Sequence, residues 1–245
     1  MLCIACAKPG WPLCQACERG LVVTHDRVAS GVAVGVAFKH TGTAVRLVHN
    51  LKYRRSLAAG RFLAHAMARR VPVGATSLVP VRRSLVRRVS FGIDQASFLT
   101  TVISDLVGLP VIDVLRPPMW WSQRAGSPVS ERKPIGFRAS SPIPDGAVLV
   151  DDVLTTGSTI ASAGRAIEPA TYSSLVATAA GMMRAGVEMA PSLGGDVADM
   201  RRTNIGRAPV AQAPPIQSIL RGREFVAPPQ GVPTERSAGD RSYPR

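Results

Sequence analysis

Acidic residues are scarce in this chain: 16 Asp and Glu stand against 30 Lys and Arg in 245 residues, a formal charge of +14. Such a surface does not suit cationic partners and favours phosphates, whether of a nucleotide, a nucleic acid or an acidic lipid. Cysteine is absent after residue 17. The opening MLCIACAKPG has neither a basic leader nor the apolar core of a secretory signal, so export is not expected. No apolar run approaches the roughly 20 residues that span a bilayer. The longest, Leu21 to Phe38, is broken by Thr24, His25, Asp26, Arg27, Gly31 and Gly35. A soluble, cytoplasmic protein with no membrane span is expected. No internal repeat and no base-recognition motif is legible.

What is present divides into three parts. All four cysteines, Cys3, Cys6, Cys14 and Cys17, form two CxxC pairs seven residues apart within a head taken as residues 1–30. Two such knuckles bring four thiolates round one tetrahedral Zn²⁺ and leave no position for water, so the metal would be structural. Disulfides are the alternative, and a reducing cytosol disfavours them. Residues 31–184 alternate short β-branched runs with amphipathic ones. Strands are expected at Val32–Phe38, Thr76–Val81, Val111–Leu115, Ala147–Val150 and Leu175–Ala180. Helices are expected in Thr43–Arg70, with a break near Lys52–Arg55, and at Ile93–Leu106 and Ser158–Ile167. The alternation predicts an α/β fold with a parallel, doubly wound sheet, whose ligands sit at the carboxyl ends of the strands. Residues 185–245 are basic and rich in Pro, Gly and Ala; they cannot bury enough apolar surface to offset chain entropy, and disorder is expected there.

The densest signal is VLVDDVLTTGST, residues 148–159. An apolar strand delivers Asp151 and Asp152 to the ligand crevice, and Thr155, Thr156, Gly157, Ser158 and Thr159 make a turn that opens a helix. Backbone N–H groups, the helix dipole and the hydroxyls converge there as donors for a phosphate. The carboxylates repel that phosphate, so they are assigned to the hydroxyls of an adjoining ribose; the alternative is a buried strand followed by an Asp-rich turn and an ordinary Ser/Thr helix cap. An acid presented to a ligand in this way contributes little to fold stability, and Asp152→Asn is expected to leave stability nearly unchanged.

This stretch resembles the phosphoribosyl-pyrophosphate signature of type I phosphoribosyltransferases. Together with CIAC and LCQAC, VRLVHNLKYRRS, LVPV before a basic run, FGIDQA, and a long loop ending SERKPIGF, it is similar to the ComF family of competence-associated proteins over about residues 3–184. The resemblance implies a type I phosphoribosyltransferase-like sheet and a structural zinc head. It gives ribose contacts to Asp151 and Asp152, and the 5′-phosphate to Thr155–Thr159. The pyrophosphate would lie at the turn after LVPV, where Arg82, Arg83, Arg87 and Arg88 offer guanidinium groups or form a solvated basic face. Two departures stand out. Arg82 occupies a position where the family has Pro, and Phe91-Gly92-Ile93-Asp94-Gln95 replaces its Arg-Gly-Phe-Asn-Gln run. Lys52 matches a lysine of the family and is otherwise a solvated charge.

Two classes of function follow. One is phosphoribosyl transfer from phosphoribosyl pyrophosphate with Mg²⁺, under a loop carrying Gln123, Arg124 and Arg132, either linked to DNA uptake or recombination or as nucleobase salvage. The other is a non-catalytic protein that senses nucleotide or binds single-stranded DNA, with Trp120 and Trp121 as a stacking platform or as a packed hinge.

Overall fold

The computed structural model describes residues 1–82, 94–118, 136–181 and the backbone of 187–189. All belong to one unit, Met1–Ala213. After a five-residue helix α1 (Gln15–Arg19), the chain makes strands β1 (Arg27–Ala29) and β2 (Val32–Lys39), then helices α2 (Gly42–Arg54) and α3 (Leu57–Ala68). Strand β3 (Ser77–Pro80), helix α4 (Gln95–Val107) and the short strands β4 (Leu115–Arg116) and β5 (Arg138–Ala139) follow. Strand β6 (Ala147–Leu154), helix α5 (Ser158–Arg165), β7 (Tyr172–Ala179) and β8 (Val187–Met189) complete the described elements.

Local chemistry explains the boundaries. The break expected near Lys52–Arg55 is Arg55 in the left-handed region at φ 53°, which ends α2; Ser56 Oγ then accepts from Ala59 N at 3.3 Å and caps α3. Asp94 caps α4 in the same manner by accepting from Ser97 N, and Gly108 stops it at φ 72°. Thus Asp94, part of the FGIDQA stretch, serves as a helix cap.

The sheet is α/β in type and mostly parallel, in the order β3-β6-β7-β2-β1-β8. The first four strands run parallel, while β1 and β8 join antiparallel at one edge. Residues 27–29, placed in the head by sequence, therefore belong to the sheet. So do residues 187–189, although composition predicts disorder from residue 185 onward. The strand expected at Val111–Leu115 reduces to one parallel bridge, Leu78 to Val111, and the two-residue β4 paired with β5.

Strand alternation sends Val34, Val36, Val79, Leu149 and Val176 to the face covered by Ile160 and Ala163 of α5. The opposite face packs on α2, α3 and α4, where Leu51, Phe62, Leu63, Met67, Leu99 and Ile103 are fully buried. Each such side chain contributes about 1.5–3 kcal/mol. The layers are helix, sheet, helix. No helix among the described residues is long and apolar enough to cross a membrane.

Candidate functional site

The order of the strands locates a crevice. From β3 the chain passes outward to residues 110–112, which hydrogen-bond along its outer side, whereas from β6 it passes the other way to β7. Adjacent parallel strands whose connections diverge leave an opening outside their carboxyl ends. Two segments singled out by sequence meet there. Pro80 is level with Val150, Val81 N donates to Val150 O, and Arg82 N turns back to Pro80 O. The turn after LVPV thus stands beside Asp151 and Asp152.

Strand β6 continues past the acids to Leu154, four residues beyond the expected Val150. Asp151 and Asp152 are therefore within a strand, and neighbouring strand residues face opposite sides. Asp152 points to the helix α2 side. It is buried, and Lys52 Nζ lies 2.9 Å from its Oδ2. Lys52 is thus an ion-pair partner and not a solvated charge. Asp151, half-buried, lies on the α5 side with its Oδ1 accepting from Asp152 N at 2.7 Å. The two carboxylates thus lie on opposite faces of the strand.

The hydroxyl turn follows on the α5 side. Thr155, Thr156 and Ser158 are exposed, Thr159 is half-buried, and Gly157 is buried at φ 80° as the residue before α5. Ser158 N donates to Thr156 Oγ1 at 3.4 Å, and that hydroxyl lies 3.1 Å from Ser158 Oγ. Gly157 is required by its left-handed backbone. A Cβ there would come 3.0 Å from Ala29 Cβ and 3.5 Å from Ser30 Oγ, so the β1–β2 turn, and not ligand space, fills that side. The opening N–H groups of α5 lack intrahelical carbonyl partners by geometry and face outward with the positive end of the helix.

Arg82 pairs with Asp113, which also takes Arg116 Nη1 at 3.0 Å. Arg82 Nε is buried with no hydrogen-bond partner among the described residues. Arg83, Arg87, Arg88, Trp120, Trp121, Gln123, Arg124 and Arg132 lie outside the described residues.

Sequence reasoning missed the pairing of His40 with Thr178 at this end of the sheet. His40, just after β2, is within 2.8 Å of Thr178 Oγ1 through Nδ1, and its amide donates to Ala179 O. Burial, aided by the Lys52 ammonium and opposed by Asp152, holds its pKa below the ordinary imidazole value. The lone signal was a His directly after an apolar strand, which is too common to single out.

The cysteine head is a second site. The four Sγ atoms all lie within 4.8 Å of one another, with Cys6 and Cys14 3.6 Å apart and none in a disulfide. A tetrahedral ion with bonds of about 2.3 Å needs sulfur separations of about 3.8 Å, so the set fits a metal ion such as zinc. Burial disfavours ionising Cys3, but amide groups of Cys14, Ala5 and Cys6 outweigh it and bring the thiol down to about 7. Burial and then the neighbouring sulfurs push Cys17 up to about 12. Loading a metal must therefore expel protons from this group.

Neither a scan against protein-family models nor a search of the curated proteins finds a match to this chain.

Proposed function

We propose that this chain binds a sugar 5-phosphate of the phosphoribosyl pyrophosphate class, as a phosphoribosyltransferase-like protein of the ComF type linked to DNA uptake or recombination. The observation that carries the reading is the turn Thr155–Thr159. It sets three exposed hydroxyls and the start of α5 beside Asp151, at the carboxyl ends of parallel strands whose connections diverge. In this reading the hydroxyls and the N–H groups of the turn hold the 5′-phosphate. Asp151 accepts from the ribose hydroxyls, and Arg82 at the adjoining strand end takes a pyrophosphate oxygen.

Asp152 is reassigned. Bound to Lys52 and buried, it keeps β6 and α2 in register and supports Asp151 without touching the sugar. Mg²⁺, brought with the pyrophosphate, would neutralise its charge during departure. The chain's own contribution is orientation, together with the negative field of Asp151 on the ribose side.

The test is calorimetry of the full chain with ribose 5-phosphate and with phosphoribosyl pyrophosphate plus Mg²⁺, followed by pyrophosphate release against a panel of nucleobases. Saturable binding of both sugar phosphates is expected. Absence of binding for both defeats the reading, and binding without release assigns a sensor in place of a transferase.

A further inference from the structure

Helix α2 has two working flanks. On one, Thr43, Arg46 and Asn50 repeat at helical spacing and meet the cysteine head. Gly20, which ends α1, lies so close that a Cβ on it would be 2.8 Å from Thr43 Oγ1. Arg46 Nη2 donates to Thr43 Oγ1 at 3.0 Å and to Cys17 Sγ at 3.6 Å. Asn50 Nδ2 donates to Ile4 O at 2.8 Å and Ala5 O at 3.4 Å, the backbone between Cys3 and Cys6. Lys52 stands about 160° round the helix from Asn50. It bonds Asp152 on the far flank.

We propose that Arg46 and Asn50 are positioning residues of the metal centre, so that helix α2 completes it. Four thiolates round one divalent ion leave a net charge of about −2 by the coordination rule for such sites. Cys3 and Cys17 are buried, so water screens that excess poorly. Arg46 is a cation in contact with it, and no carboxylate among the described residues pairs with Arg46. Thr43 aims the guanidinium at the sulfur. Asn50 acts on the backbone instead: by holding both carbonyls of the first knuckle it fixes the turn that points Cys3 and Cys6 inward. A partner that orients a ligand or balances its charge typically changes metal affinity by about 10- to 100-fold. The inference is independent of what the strand-end site binds.

The experiment uses the full chain loaded with zinc. Competition with a chromophoric chelator at one fixed pH should show Arg46→Met holding zinc about 10- to 100-fold more weakly than the parent. Arg46→Lys, which keeps the charge, should recover most of the loss, and Asn50→Leu should weaken binding without such rescue. Hydrogen exchange on the same samples gives the fold control through the amides of β6 and β7. A measurement that needs no variant stands beside these: stripping zinc from the parent should deprotect the α2 amides near residues 46–50 while β6 and β7 keep their protection. Unchanged zinc affinity in Arg46→Met, equal losses in the Met and Lys variants, or α2 protection indifferent to zinc would each overturn the proposal.

Discussion

Lys52→Met isolates the ion pair beneath the candidate site. The pair is close, at 2.9 Å, and both side chains are withdrawn from water, Lys52 at 15% and Asp152 at 6% exposure. At an effective dielectric near 20 their attraction is about 6 kcal/mol, most of which offsets the desolvation of two charges. Removing the ammonium alone cancels the attraction and leaves the buried carboxylate's desolvation in place. The expected loss is about 3–5 kcal/mol. The reverse change, Asp152→Asn, should be milder, because Lys52 is the more exposed member and its long stem lets the ammonium reach solvent. It should nevertheless destabilise, contrary to the near-neutral change expected of an acid that faces a ligand. Lys52→Met with Asp152→Leu should recover most of the loss, since an apolar pair of similar volume often replaces a buried ion pair without net cost. Urea unfolding followed by circular dichroism, completed as a double-variant cycle, reads all four proteins. A change below about 0.5 kcal/mol in Lys52→Met, the level of ordinary surface substitutions, would refute a buried, interacting pair.

Asp151→Asn should weaken ribose 5-phosphate binding by about 1.5–3 kcal/mol, the range for hydrogen bonds to a charged group, with little change in unfolding midpoint; calorimetry and urea melts separate the two effects. Gly157→Val should abolish ribose 5-phosphate binding and lower the melting temperature, because φ 80° is strained for a β-branched residue and Ala29 blocks the added carbon; retained binding by calorimetry would count against the turn as the phosphate cradle. One equivalent of zinc should copurify, and Cys14→Ser should lower metal content and stability together, as read by elemental analysis and thermal melts. His40 supplies a pH dependence. Its folded-state pKa lies below the unfolded value, so below about pH 6.5 the unfolded chain binds the extra proton first, and stability should fall as pH falls through the folded pKa. His40→Gln should flatten that part of the urea-midpoint profile.

Periodicity and turn chemistry made much of the framework legible before any tertiary contact was considered. β2, β3, β7 and α4 lie within three residues of their expected bounds, because apolar spacing and caps such as Asp94 and Gly108 act locally. The CxxC pairs marked the four-cysteine cluster for the same reason: each knuckle is a local turn, and only two must meet. The turn Thr155–Thr159 was equally plain, since Gly157 at a positive φ before a helix is a property of a few consecutive residues. Pairings across long sequence separations were hidden. Lys52 reaches Asp152 across 100 positions, and His40 reaches Thr178 across 138. No local pattern distinguishes an acid that meets a ligand from one that meets a lysine. Three further residues of strand beyond Asp151 set the acids on opposite faces by pleating, Asp151 toward helix α5 and Asp152 toward helix α2 and Lys52.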